Sequence, residues 1–295
     1  MRIAYLTGRA WRGAPLPPGA LPSLEAPDFA LVEAAAAARG AALSVRVWDD
    51  PDLSRADCDV ALIRSCWDYP ERSAEFLQAL MRLEARGVRV MNAPAIVRWN
   101  GRKDYLIAAE RAGMPVIPTL WADALDARSV AKAFDAFETA ELVIKPQVGA
   151  GSRNTLRLQR NAWSEADLMR GPAGPAMLQP YLPSIETIGE RSLVYFDGAF
   201  SHAVRKSPAP GHWFANALDA RFEPWAPDEA ARIVALRALS ALPEKAIYAR
   251  VDLVQGHTGD WLVIEIEAIE PYLFLRFAPE GAARLVDAVL RGAGA

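Results

Sequence analysis

Apolar residues follow two rhythms along this chain. Short apolar or alternating runs read as strands, and longer runs with an apolar residue every three or four positions read as helices. In the first part the spacing predicts strands at residues 2–6, 43–48, 59–64 and 88–91, with helices at 28–39 and 71–86. Strand and helix alternate, which argues for a parallel sheet with helices on its faces. Ligands of such sheets bind beyond the carboxyl ends of the strands. Two loops leave those ends, residues 7–10 and 64–69, and a proline-rich stretch at 15–27 reads as an irregular loop.

From about Trp99 the rhythm changes. A helix is expected at 103–112, ended by Gly113 with Pro115 behind it, then a strand at 117–121 and a helix at 129–138. A short apolar strand at 142–145 opens into a glycine-rich loop and returns at 153–158. A strand at 176–179 follows. Strands 191–196 and 199–205 flank Asp197-Gly198, a strong hairpin signal. A helix at 227–242, a last hairpin and a helix at 279–291 complete the chain. The pattern is α/β at first and α+β afterwards. The change falls at about Trp99.

The last hairpin runs from Arg250 to Val254 and from Trp261 to Glu267. Alternation puts Val251, Leu253, Leu262, Ile264 and Ile266 on one face, which reads as core. Arg250, Asp252, Glu265 and Glu267 fall on the other. A turn centred on His257 and Thr258 would set Arg250 opposite Glu265, with Asp252 diagonal to it. Three carboxylates this close repel unless a cation sits among them. Hard oxygens in that number suit Mg²⁺ carrying a substrate's phosphates. A solvated outer face with a cross-strand Arg–Glu pair is the alternative.

Composition narrows the classes. The chain has 295 residues, enough for two or three packed units, and 52% are hydrophobic. A net charge of −3 and no basic run give no general attraction to nucleic acid. Three histidines and two cysteines, Cys58 and Cys66, form no metal-site spacing, so a zinc site is not expected. No segment is long and apolar enough to span a membrane, and no signal peptide is evident; a reduced, cytoplasmic protein is the expectation.

Gly149-Ala150-Gly151-Ser152 follows the 142–145 strand. It offers free N–H groups that can close over phosphate, although an ordinary turn would look the same. Lys145 ends an otherwise apolar strand and needs a partner there. Lys103 and Lys206 sit beside a helix start and a turn.

In this order the motifs resemble the ATP-grasp superfamily, in particular its glutathione-synthetase-like and D-alanine–D-alanine-ligase-like members. The resemblance runs from about Trp99 to Pro271. It implies an ATP-grasp fold, with a Rossmann-like preATP-grasp domain at 1–98 and two α+β lobes, 99–180 and 181–295, enclosing the nucleotide. Lys103 and Lys145 resemble the family's nucleotide lysines, and Gly149, Gly151 and Ser152 its phosphate lid. Gln179, Tyr181 and Leu182 resemble the hinge that reads adenine, and Glu186 the ribose contact. Lys206 and Arg250 would reach the phosphates, and Asp252, Glu265 and Glu267 would hold two Mg²⁺. Arg205 is a candidate clamp on an acyl phosphate; a hairpin of two-residue turn would instead pair it with Glu190. Gln179 stands where an acidic residue is usual, Glu267 where Asn is usual, and Ala268-Ile269-Glu270-Pro271 replaces the common Pro-Gly ending. Glu270 is therefore a candidate metal ligand or substrate contact. Segments 64–69, 201–206 and 265–271 look similar to the O-ureido-serine cyclo-ligases of cycloserine biosynthesis.

The resemblance implies a ligase that activates a small carboxylate, or carboxyl-like group, as an acyl phosphate at the expense of ATP and joins it to an amine. The join can close a ring within one amino-acid derivative. Little covalent chemistry would fall on the protein. The acceptor would be read by Arg9, Arg64, Trp67, Asp68 and Tyr69 at the strand ends, and by the loop at 208–216 with His212. The aromatics would serve equally as core. A nucleotide-binding protein or phosphotransferase without ligation is the second reading. A Rossmann oxidoreductase fits poorly, because residues 7–10 lack the Gly-x-Gly-x-x-Gly spacing. Partners are expected to be ATP and a small amino-acid-like molecule, with no nucleic acid and no membrane; the residues leave the oligomeric state open, and the resemblance allows a homodimer.

Overall fold

The computed structural model describes residues 1–11, 14–16, 21–149, 151, 153–215 and 220–294. Its first sheet is parallel, in the order Ala42–Val47, Arg2–Thr7, Val60–Ser65, Arg89–Met91. Both faces are apolar, as covered parallel sheets require. Ile3, Tyr5, Val60 and Leu62 face the helices Ala26–Ala37 and Glu280–Gly292. Ala4, Leu6, Ala61 and Ile63 face Ser73–Ala85 through Phe76 and Leu80. The chain's last helix thus completes the first sheet, although in sequence it belongs to the unit at 181–295.

The second sheet is antiparallel: Leu120–Ala122, Ala176–Pro180, Glu141–Pro146, Leu156–Gln159. Helix Ala127–Phe137 packs on it through Val130, Ala133 and Phe134. The third sheet runs Arg221–Pro224, Ala199–Ser207, Glu190–Phe196, Tyr248–Gln255, Trp261–Glu267. Helix Tyr105–Arg111 packs here, with Tyr105, Leu106 and Ala109 against Val251, Leu253 and Ile266, rather than on the second sheet next to it in sequence. The proline-rich segment is not wholly irregular. It contains a short strand, Ala14–Pro15, paired with Ala10–Trp11, and helix Ala26–Ala37 begins inside it.

Two bulges correct the expected registers. Asp197 and Gly198 both have positive φ, 52° and 76°, as a two-residue hairpin turn needs. The ladder then shifts between Val194 and Tyr195, leaving Ser201 as the extra residue. Glu190 therefore faces Lys206, and Arg205 faces Arg191 instead of Glu190. In the last hairpin the turn is one position longer than expected, and a second shift falls between Asp252 and Leu253. Arg250 pairs with Glu267, and Asp252 with Glu265. The bulge at Ile264 also reverses that strand's faces, so Leu262 and Ile264 leave the expected core and join Ile117, Leu182 and Val254.

One side chain fastens the first sheet to the third. Asn92 donates to the carbonyls of Tyr248 and Ala268, both at 2.8 Å, and accepts from the N–H of Ile247 at 2.6 Å. Its removal would leave these buried backbone groups unpaired. Asn92→Ala is expected to cost about 3 kcal/mol, since each orphaned group costs about 1–3 kcal/mol. The midpoint of urea unfolding measures this, and a shift equivalent to under about 1 kcal/mol contradicts it.

Candidate active site

A cavity lies where the three sheets meet. Lys103, Lys145, Glu190, Lys206, Arg250, Glu265 and Glu267 all line it. Carboxylate oxygens of Asp252, Glu265 and Glu267 fall within 4.8 Å of one another. Neighbouring strands supply this geometry. Asp252 and Glu265 are direct cross-strand partners, and the extra residue at Ile264 puts Glu265 and Glu267 on the face opposite Trp261 and Val263.

Asp252 is the best-held group. Its carboxylate accepts two bonds from Arg250, both 2.9 Å, one from Lys206 Nζ at 2.9 Å and one from Ser192 Oγ at 2.6 Å. Burial alone would raise its pKa, but Arg250 and Lys206 overcome it and hold Asp252 far below the usual carboxylate range. Lys206 also pairs with Glu190 at 2.8 Å, and Arg250 with Glu267. Lys103 Nζ reaches Glu265 at 3.1 Å and the Gly149 carbonyl at 2.9 Å. Burial, then Glu265 and Asp252, push Glu267 up despite Arg250. Four carboxylates (Glu190, Asp252, Glu265, Glu267) thus stand among four cations. Lys145 has no ion-pair partner among the described residues; burial pulls its pKa down, and Glu265 and Glu190 oppose that pull.

The donor set fits a hard divalent cation, because it offers several carboxylate oxygens and no sulfur or imidazole. The lysines and Arg250 around it fit a polyphosphate. Gln179 and Leu182 line the adjoining wall beside Ile117 and Ile264. Gln179 donates to Thr119 Oγ1 at 2.9 Å. Gly149 and Gly151 also line the cavity. Ser152 lies outside the described residues.

A family model for the N-terminal domain of the D-cycloserine synthetase DcsG matches residues 3–92. The cycloserine biosynthesis protein DcsG of Streptomyces lavendulae is 34% identical over 264 residues, covering 82% of this chain and 86% of that protein. The chain belongs to the DcsG family. The crystal structure of D-cycloserine synthetase DcsG superposes with a TM-score of 0.85 at 30% identity, covering 99% of this chain and 100% of that one. The fold is that of ATP-grasp ligases. D-alanine–D-alanine ligase from Bacillus anthracis, complexed with ATP, has a TM-score of 0.72 at 15% identity, covering 99% of this chain and 97% of that one. The ATP-grasp ligase PsnB, solved with Mg and ADP, has a TM-score of 0.67 at 18% identity, with 99% and 98% covered. The DcsG-family chain is an ATP-dependent carboxylate–amine ligase.

Several residues expected at the site lie elsewhere. Arg205 follows strand alternation to the face opposite Lys206; its Nη2 is 3.4 Å from the Thr187 carbonyl, and it does not line the cavity. Arg9 pairs with Asp49 at 2.6 Å on the surface. Asp68 is consumed structurally: it accepts from Trp48 Nε1 at 2.8 Å and Arg9 N at 3.1 Å, packed so tightly that a Cβ on Gly8 would meet it at 2.2 Å. Arg64 is buried behind the wall, with Nη2 on the Pro271 carbonyl at 2.5 Å. Glu186 is held by Arg157 at 2.8 Å and by the Tyr181 hydroxyl, and Tyr181 lies under Arg157. Neither Glu186 nor Tyr181 lines the cavity, nor does His212, whereas Trp213 and Phe214 of its loop do. Trp67, Tyr69 and Glu270 stand in the wall as expected.

Sequence reasoning missed four supports. Ser192 and Glu190 sit on the strand beside the last hairpin and face Asp252 and Lys206, but only the bulged registers reveal it. Asn100 and Tyr105 fix the end of the last strand through the backbone of Ile266 and Ala268. Their signal was an Asn and a Tyr flanking Lys103, at the end of helix Pro94–Asn100 and the start of helix Tyr105–Arg111. Glu25, at the start of helix Ala26–Ala37, was also missed. It is fully buried and accepts from the Tyr5 hydroxyl at 3.2 Å.

Burial pushes the Glu25 carboxyl up to about 7, against the pull of Arg64. The folded state therefore holds a proton that the unfolded chain loses near 4.5. Its contribution is fully present below pH 4.5 and is lost as pH rises through about 7. Over that window the wild type is expected to lose about 3 kcal/mol, from about 1.4 kcal/mol per pKa unit. Glu25→Gln should flatten that decline in unfolding free energy. Equal pH slopes for the two proteins would contradict this assignment.

Proposed function

We propose that the enzyme activates a carboxyl-type group of a small amino-acid derivative and closes it on an amine of the same molecule. The observation that carries this reading is the cluster of Asp252, Glu265 and Glu267 at a cavity lined by Glu265, Glu267, three lysines and Arg250. The relatives named D-cycloserine synthetase support ring closure. The substrate's carboxyl oxygen attacks the terminal phosphorus of ATP, ADP departs, and an amine nitrogen then displaces phosphate from the acyl carbon.

This chain's part is to place charge and exclude water. Lys103, Lys145, Lys206 and Arg250 would bind and orient phosphate oxygens, where positive charge offsets what develops during transfer. Asp252, Glu265 and Glu267 would hold two Mg²⁺, which when bound neutralise the phosphate tail. The main chain at Gln179 to Leu182 would take the adenine, with Gly149 and Gly151 closing over the phosphates. The proposal keeps three units, 1–98, 99–180 and 181–295, and extends to a homodimer in the cytoplasm. Two buried free thiols, Cys58 and Cys66, accord with a reducing compartment.

ADP release in a coupled assay should require both Mg²⁺ and an amino-acid derivative. Asp252→Asn should lower it at least about a hundredfold, the scale seen when a charge-stabilising group is lost. ADP release indifferent to every acceptor offered would replace the ligase reading with that of a phosphotransferase or nucleotide binder.

A further inference from the structure

Three buried polar atoms in the cavity wall have no hydrogen-bond partner among the described residues: Trp67 Nε1, Glu270 Oε2 and the Tyr272 hydroxyl. One such atom costs about 1–3 kcal/mol, so three in one wall call for a polar occupant. They lie at the carboxyl end of the first sheet, on the side of the cavity facing that sheet.

The segment bearing Glu270 and Tyr272 is held by its carbonyls and leaves these side chains unspent. Tyr248 Oη is 2.9 Å from the Ile269 carbonyl, and Arg64 Nη2 is 2.5 Å from that of Pro271. Arg250 Nη1 donates to the Tyr272 carbonyl at 3.1 Å, and His202 Nε2 to that of Leu273 at 2.8 Å. Such anchoring fixes where the Glu270 carboxyl points, as a binding site requires. Glu270 is 7% exposed and stands outside the three-carboxylate cluster, which argues against a role as metal ligand. Arg64 gives Nη2 to the Pro271 carbonyl and does not line the cavity, so the wall itself offers one carboxyl, two neutral donors and the rings of Trp67, Tyr69, Tyr272 and Phe274. Burial holds the Glu270 carboxyl well above its usual pKa, and a small ammonium group among these rings would supply the charge that keeps it ionised.

We propose that Glu270 binds the free amino group of the amino-acid substrate, while Trp67 Nε1 and the Tyr272 hydroxyl donate to oxygens of the same molecule. This rests on the ligase reading and specifies its substrate: a primary amine that is recognised and not acylated. An N-acylated derivative is excluded, because it carries no charge and adds bulk against the rings.

Calorimetric titration of the Mg-ADP-loaded full chain tests this with D-cycloserine and N-acetyl-D-cycloserine as probes. Wild type should bind the free amine and reject the acetylated form. Glu270→Gln should weaken binding of the free amine about ten- to a hundredfold, the worth of a charge-assisted bond. Trp67→Phe and Tyr272→Phe should each weaken it about three- to tenfold. Mg-ADP affinity, titrated first, should match wild type in all three and shows that each is folded. Equal binding of the acetylated probe, undiminished binding by Glu270→Gln, or no binding of the free amine would each overturn the subsite. A weakened Mg-ADP affinity in Glu270→Gln would also overturn it, by assigning Glu270 to the nucleotide. Failure of wild type to bind Mg-ADP at all would instead remove the ligase reading.

Discussion

The Asp252 carboxylate, buried among Ser192, Lys206 and Arg250, is the interaction around which the rest is arranged. A buried charge is tolerated only when paired and fully hydrogen-bonded, and Asp252 is both. Each partner leads outward. Lys206 reaches Glu190, Arg250 reaches Glu267 and the Tyr272 carbonyl, and Asp252 itself faces Glu265 across the ladder. The result is a concentrated but nearly balanced field of charges beside a cavity. Such a field is preorganised, since its orientation is settled by the fold before any substrate enters.

The chain's path makes that cavity a junction. The last helix returns to cover the first sheet, and the segment after the final strand forms part of the cavity wall, held between Arg64 and Arg250. Asp28 holds the N–H groups of Leu275 and Arg276 at 3.0 and 3.2 Å, tying the same segment to the first helix. Residues far apart in sequence act as one wall because backbone groups, rather than side-chain tips, are what these anchors grip.

Much of this was legible in the residues. Alternation located most strands, though not Ala10–Trp11, Ala14–Pro15 or the edge strand Arg221–Pro224, Asp197-Gly198 marked its turn, and the acids of the last hairpin pointed to the metal-type cluster. Local pattern could not give register. A bulge is one extra residue, Ser201 in one hairpin and Ile264 in the other, and nothing in composition announces it. That single residue decided whether Arg205 or Lys206 faced Glu190 and whether Ile264 sat in the core. Likewise, Arg9, Arg64 and Asp68 stood at strand ends where ligands bind, but the structure spends them on Asp49, Pro271 and Trp48. Polar residues near a site serve the scaffold as readily as the ligand, and only their partners distinguish the two. Glu25 was hidden for the opposite reason: its burial depends on tertiary packing of a proline-rich segment that reads as loop.

The central claim is that the acids of the last ribbon hold the metal that carries a nucleotide's phosphates. Anomalous diffraction from crystals soaked with Mn²⁺ and a non-hydrolysable ATP analogue tests it most directly. The account predicts manganese peaks bounded by Asp252, Glu265 and Glu267, with the phosphates reaching Lys103, Lys145 and Lys206. Peaks elsewhere, or a nucleotide whose phosphates turn away from that ribbon, would contradict it.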